Sequence, residues 1–133
     1  MAGWSYEDRG LPTDVFLIDS IMVTPDPPRP GLDVAIKVGG QLREVPDTDT
    51  YVDITVKLGL IKILQKRQSL SEFLAEWGAS MPTKTGPFAL ELSRSLPREI
   101  PPAKFKIRVD GYTGTEEDAF CLEFTADFTK PSS

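Results

Sequence analysis

The sequence predicts an all-β protein: an immunoglobulin-like β-sandwich of two antiparallel sheets with one short helix. Three observations carry this. Apolar and polar residues alternate with period two in successive segments, as in strands with one buried and one wet face. Breaks rich in proline and glycine separate those segments at the spacing of short strands in a sandwich. One stretch alone switches to the helical period. With 133 residues, 40% of them hydrophobic and 26% charged, the chain suits a single domain over residues 1–133 and is not disordered by composition.

Taken in order, Val15 to Val23 is the first alternating segment, less regular than the rest and consistent with a bulge. Pro25-Asp26-Pro27-Pro28-Arg29-Pro30-Gly31 ends it, because each proline lacks the N–H a ladder needs. Leu32, Val34, Ile36 and Val38 then alternate with Asp33, Ala35, Lys37 and Gly39. After a polar stretch from Val45 to Thr50, Val52, Ile54, Val56 and Leu58 alternate with Asp53, Thr55, Lys57 and Gly59. The period dissolves over Leu60, Ile61, Ile63 and Leu64, a cluster more apolar than a strand end needs. Ser69 and Glu72 read as a capping box, and Leu70, Phe73, Leu74 and Trp77 follow at i, i+3, i+4 and i+7, with Gly78 as a stop. This predicts a helix of about two turns near 69–78. Phe88, Leu90 and Leu92 resume the strand pattern, Pro97 to Pro102 breaks it, and Phe105, Ile107 and Val109 form the next strand. An acidic hairpin loop from Gly111 to Asp118 leads into Phe120, Leu122, Phe124, Ala126 and Phe128.

The inventory excludes several function classes. A formal charge of −5 has the wrong sign for neutralising phosphates, so no nucleic-acid partner is expected. No apolar run approaches the roughly 18 residues of a membrane span. Met1-Ala2-Gly3-Trp4 has no signal-peptide pattern, which reads as a cytoplasmic chain or one supplied without its leader. The chain has no histidine, so the commonest acid–base group and metal ligand is missing, and no asparagine for N-glycosylation. Cys121 has no second cysteine to pair with and no histidine to activate it. Glu116-Glu117-Asp118 lacks the alternating ligand spacing of a calcium loop. No catalytic residue, metal or cofactor is expected.

Several pieces, in order along nearly the whole chain, resemble one family. They are Trp4-Ser5-Tyr6-Glu7-Asp8 with Gly10, Pro25 to Pro28 with Pro30-Gly31, Tyr51 to Lys62, Leu96 to Phe105, Gly111-Tyr112-Thr113, and Cys121-Leu122 with Asp127-Phe128. Together they look like the ML-domain lipid-recognition family, in particular its fungal phosphatidylglycerol/phosphatidylinositol transfer proteins, which are related to the Niemann-Pick type C secreted sterol carrier. The resemblance implies sheets splayed around an internal hydrophobic cavity, a sterol or phospholipid ligand, no catalysis, and a secreted or vacuolar location; transient contact with a membrane is expected from the helix and the apolar residues before it. The resemblance also implies one disulfide between the positions of Arg9 and Cys121 and another between those of Ser71 and Met81. Neither can form here, which is compatible with a cytoplasmic, reducing compartment.

Under that resemblance the inward sets supply a cavity lining: Ile36, Val56, Leu58, Phe88, Leu90, Phe105, Ile107 and Phe124. The same side chains would serve equally well as a filled core. For the mouth, the resemblance points to Leu96 and Ile100 beside Pro101, in the loop before the Phe105 strand. The apolar set Leu60, Ile63, Leu64, Phe73 and Trp77 is a second expected gate, with Lys62, Lys66 and Arg67 close by to meet a phosphate. The alternative function is a protein-binding recognition or immunomodulatory module with a reduced cavity, which predicts an exposed apolar patch around Phe73 and Trp77.

Overall fold

The structure, a computed structural model, describes residues 3–25 and 28–128. Met1, Ala2, and Asp26 and Pro27 of the proline turn therefore lie outside the described residues. Eight strands and one helix follow in the order β1 (Gly3–Asp8), β2 (Phe16–Thr24), β3 (Asp33–Leu42), β4 (Tyr51–Leu58), β5 (Ile61–Ser69), α1 (Leu70–Glu76), β6 (Gly86–Ser95), β7 (Lys104–Tyr112) and β8 (Asp118–Asp127). They form a five-stranded sheet, β1-β8-β7-β4-β5, and a three-stranded sheet, β2-β3-β6. All pairings are antiparallel. The sandwich expected from the alternation is the fold observed.

Every alternating segment is a strand. The irregular first one is β2, whose register on β3 shifts between Ile18 and Ser20. Gly40 sits against this bulge, where a Cβ would come within 2.0 Å of the Leu17 carbonyl oxygen, so only glycine fits. Two strands escaped the sequence reading. One is β1, six residues long at the sheet edge. The other is β5, which takes up the Ile61–Leu64 cluster and continues it to Ser69. Leu32, counted as inward from its spacing, precedes β3 and is 51% exposed.

The helix begins where the cap predicts. Ser69 accepts a hydrogen bond from the Glu72 N–H at 3.2 Å on its side-chain oxygen. Leu70 and Leu74 are buried at 3% each and join the core. Gly78 ends the helix at φ +75°, and the Ala79 N–H returns to the Leu74 carbonyl at 2.8 Å. The helix bridges one edge of each sheet. The Leu70 N–H donates to the Thr50 carbonyl ahead of β4, and the Ser93 N–H of β6 donates to the Trp77 carbonyl.

One end of the sandwich is closed. There Val15, Phe16, Leu42, Val52, Ile54, Val109 and Ala119 form a buried cluster with the helix. Phe16 joins the sheets, edge-on to Phe88 at 5.5 Å and to Phe120 at 5.6 Å. Loop bonds from Arg43 N–H to Val15 and from Val15 N–H to Asp118 tie the same end together. Asp14, 2% exposed, accepts the Leu11 N–H at 2.8 Å. Burial lifts its carboxyl above the ordinary range despite that bond, with Asp118 and Asp8 adding to the effect.

Candidate functional site

Burial falls steadily along the inner face of the larger sheet. On β4, Val52 is 0% and Ile54 8% exposed, whereas Val56 and Leu58 are only half-buried. Register places Val109 beside Ile54, Ile107 beside Val56 and Phe105 beside Leu58 on β7, and the change repeats: Val109 is buried, Ile107 and Phe105 are not. On β8, Leu122 beside Val109 is buried and Phe124 beside Ile107 is half-buried. Three neighbouring strands thus open at the same row. On the smaller sheet Leu42 and Val38 are buried, and Ile36, Phe88, Leu90 and Leu92 are half-buried.

The eight residues expected to line a cavity lie on the inner faces and are half-buried; Val56, Phe88, Leu90, Ile107 and Phe124 pack against the closed-end cluster, and Ile36 against a second cluster of Ile21, Val38 and Leu122. Val56, Leu58, Phe105, Ile107 and Phe124 project from the larger sheet, and Ile36, Phe88 and Leu90 from the smaller. Val56, Ile107 and Phe124 form one cross-strand row, with Leu58 and Phe105 in the next. Two aromatic residues belong with them that the sequence reading did not assign. Trp4 and Tyr6 on β1 stack at 5.7 Å with an 11° interplanar angle, and Tyr6 lies 6.5 Å from Phe124. Their alternation was the signal, but two apolar residues are too short a run to declare a strand. A groove of about 630 Å³ lies beside β6, lined by the 78–84 segment with Phe88 and Leu90.

The expected mouth residues do not form one gate. Leu60 is 100% exposed at the β4–β5 turn, with Ile63 at 51% and Leu64 at 47% on β5. Phe73 and Trp77 lie past the opposite end of β5, beyond Ser69, so the five are not a cluster. Nor are those two an exposed patch. Phe73 packs against the core, and Trp77 is half-buried with the Arg94 guanidinium 5.8 Å from its ring centre. Among the described residues, the most exposed large apolar side chains are Leu60 at 100% and Ile61 at 67%. In the 96–103 loop, Leu96 and Ile100 are half-buried and Pro101 is exposed. This loop is anchored by the Leu96 N–H to the Leu32 carbonyl and the Gly31 N–H to the Pro97 carbonyl, both 3.0 Å. Val34, at the same end of β3, is the exception to the opening, at 4% exposure.

The outer face of the larger sheet carries Cys121. Burial, and then its hydrogen bond to Asp110, push the Cys121 thiol up to about 11, so it is a poor nucleophile at neutral pH. Among the described residues, no group of three His, Cys, Asp or Glu side chains is placed to hold a metal. Of the basic residues near the helix, Arg67 is engaged by Asp53 at 2.8 Å.

Arg9 stands directly across from Cys121, to whose carbonyl its N–H donates at 2.9 Å. Its guanidinium pairs with Glu7 at 2.7 Å and Glu123 at 3.5 Å. Opposed residues on antiparallel strands lie about 4.5–5.5 Å apart at Cα, inside the disulfide window. Arg9→Cys is therefore expected to form a bridge to Cys121 and raise stability by about 2–4 kcal/mol. The check is the denaturation midpoint of oxidised against reduced samples, and equal midpoints would contradict it.

Comparison with known proteins adds the family context. The ML domain pattern matches residues 9–128. A phosphatidylglycerol/phosphatidylinositol transfer protein of Cryptococcus neoformans var. neoformans serotype D is 45% identical over 129 residues, covering 96% of this chain and 72% of that protein. Its namesake in Mycosarcoma maydis is 34% identical over 128 residues, covering 95% of this chain and 66% of that protein. Two solved structures share the fold. Chicken MD-1 complexed with lipid IVa has a TM-score of 0.66 at 15% identity, covering 93% of this chain and 88% of that one. A Niemann-Pick type C2 protein from Japanese carpenter ant has a TM-score of 0.66 at 14% identity, covering 92% and 98%.

Proposed function

The chain belongs to the ML-domain family, and from that premise we propose that it holds one lipid between its sheets and carries it between membranes. The single observation behind this reading is the half-burial of the cross-strand row Val56, Ile107 and Phe124 on the larger sheet and of Ile36, Phe88 and Leu90 on the smaller, where Val52, Ile54 and Leu42 are buried. Side chains so placed lose contact with neither water nor one another completely. An acyl tail lying among them would finish the burial of both sheets. Roughly eight methylenes would contribute about 6 kcal/mol, before the cost of immobilising the tail.

The ligand proposed is a glycerophospholipid, with a sterol as the other candidate. The fungal relatives are named for phosphatidylglycerol and phosphatidylinositol transfer. The groove beside β6 is the proposed way in, because it is lined by Phe88 and Leu90 of the smaller sheet's edge strand. The chemistry asked of the protein is exclusion of water from the tail, and no bond is made or broken. The protein is a carrier and not an enzyme, consistent with a chain without histidine and an inert thiol.

Transfer of fluorescent phosphatidylglycerol from donor to acceptor vesicles tests this. The rate is expected to rise in proportion to protein concentration. A rate that stays at the spontaneous value would overturn the reading.

A further inference from the structure

We propose that the open end of the larger sheet's outer face, together with the β4–β5 turn, is a docking surface for an anionic phospholipid bilayer. The charges on this face are arranged unevenly. Near the closed end they are neutralised in pairs, Arg67 with Asp53 at 2.8 Å and Arg108 with Asp110 at 3.0 Å. Near the open end they are not. Register places Lys62, Lys57 and Lys106 directly opposite one another across β5, β4 and β7. Lys104 follows on the same face of β7, opposite Asp127 of β8, and all four lysines are exposed. Among the described residues, none of the three aligned lysines makes an ion pair, and Lys62 reaches only the Gln65 side chain at 3.1 Å.

Like charges directly opposite on neighbouring strands weaken a sheet. Such a row in a chain of net charge −5 opposes the stability of its own fold, and an anionic surface would offset the repulsion. Immediately beyond the row the chain turns through Gly59 and Leu60, and Leu60 is 100% and Ile61 67% exposed. An apolar tip ringed by lysines matches a lipid interface, where one or two side chains sink among acyl chains while ammonium groups meet phosphates. The tip lies at the end where Val56, Leu58, Ile107 and Phe105 are half-buried, so docking turns the lipid space toward the bilayer. That use of the surface rests on the carrier reading; the row of lysines does not.

The experiment is co-sedimentation of the full chain with phosphatidylcholine vesicles and with the same vesicles containing phosphatidylglycerol. Binding is expected only to the second, and to weaken with salt. Each lysine replaced should lower partitioning about fivefold, so Lys57→Gln with Lys106→Gln should lower it about 25-fold. Lys57→Gln should leave the melting temperature unchanged or higher, and Leu60→Asp should weaken binding while bound lipid is still retained. Equal binding to both vesicles, or full binding by the double lysine variant, would overturn the docking surface and leave the carrier reading standing. A protein that docks as described yet never holds lipid would overturn the carrier reading alone.

Discussion

Phe16→Ala is expected to remove about 3–5 kcal/mol of folding stability. Phe16 is 5% exposed and is the aromatic residue through which the two sheets meet. Its ring stands at 82° to Phe88 on its own sheet and at 88° to Phe120 on the other. Removing it would leave a void at the closed end that its neighbours cannot fill, because Val52, Leu42 and Ala119 are already packed at 0–2% exposure. For a domain with an ordinary margin of about 5–15 kcal/mol, this is a third or more of the total. Urea denaturation measures it directly. A loss below about 1 kcal/mol would mean that the closed end is not what holds the sheets together.

Ile107→Trp is expected to do the opposite: to spare the fold and abolish lipid retention. Ile107 lies in the middle of the larger sheet's inner face, with Val56 on one side and Phe124 on the other, and is only half-buried. A tryptophan there fills space that a tail would take. Excluding about three methylenes corresponds to about 2.4 kcal/mol, or roughly 50-fold in affinity. In a filled core the same substitution would overpack and destabilise by about 1–3 kcal/mol. The melting temperature therefore separates an open interior from a closed one, and lipid binding by the same variant tests the site.

Most of the architecture was legible because each strand that packs on both neighbours and one core shows clean alternation. The helix was legible from Ser69 and the spacing of Leu70, Phe73, Leu74 and Trp77. β5 was not, since residues 61–67 are exposed on both faces and a bulge opposite Val56 and Lys57 breaks the period. The alternation of Val56 and Leu58, or of Phe105 and Ile107, identifies an inner face but carries no information about what lies opposite it. Whether those rows meet a second sheet or a gap depends on how the two sheets pack, which only the assembled fold shows. The mouth was misread for a similar reason. Leu60 and Trp77 look close along the chain, yet the full length of β5 separates them, and α1 closes a sheet edge near Ser93 instead of guarding the turn.

The most direct test of a lipid held between the sheets is native mass spectrometry of the protein purified from a lipid-containing host without detergent. The account predicts a population heavier than the bare chain by one lipid, released on denaturation, and lost in Ile107→Trp. A single species at the mass of the bare chain, unchanged after incubation with phosphatidylglycerol vesicles, would contradict it.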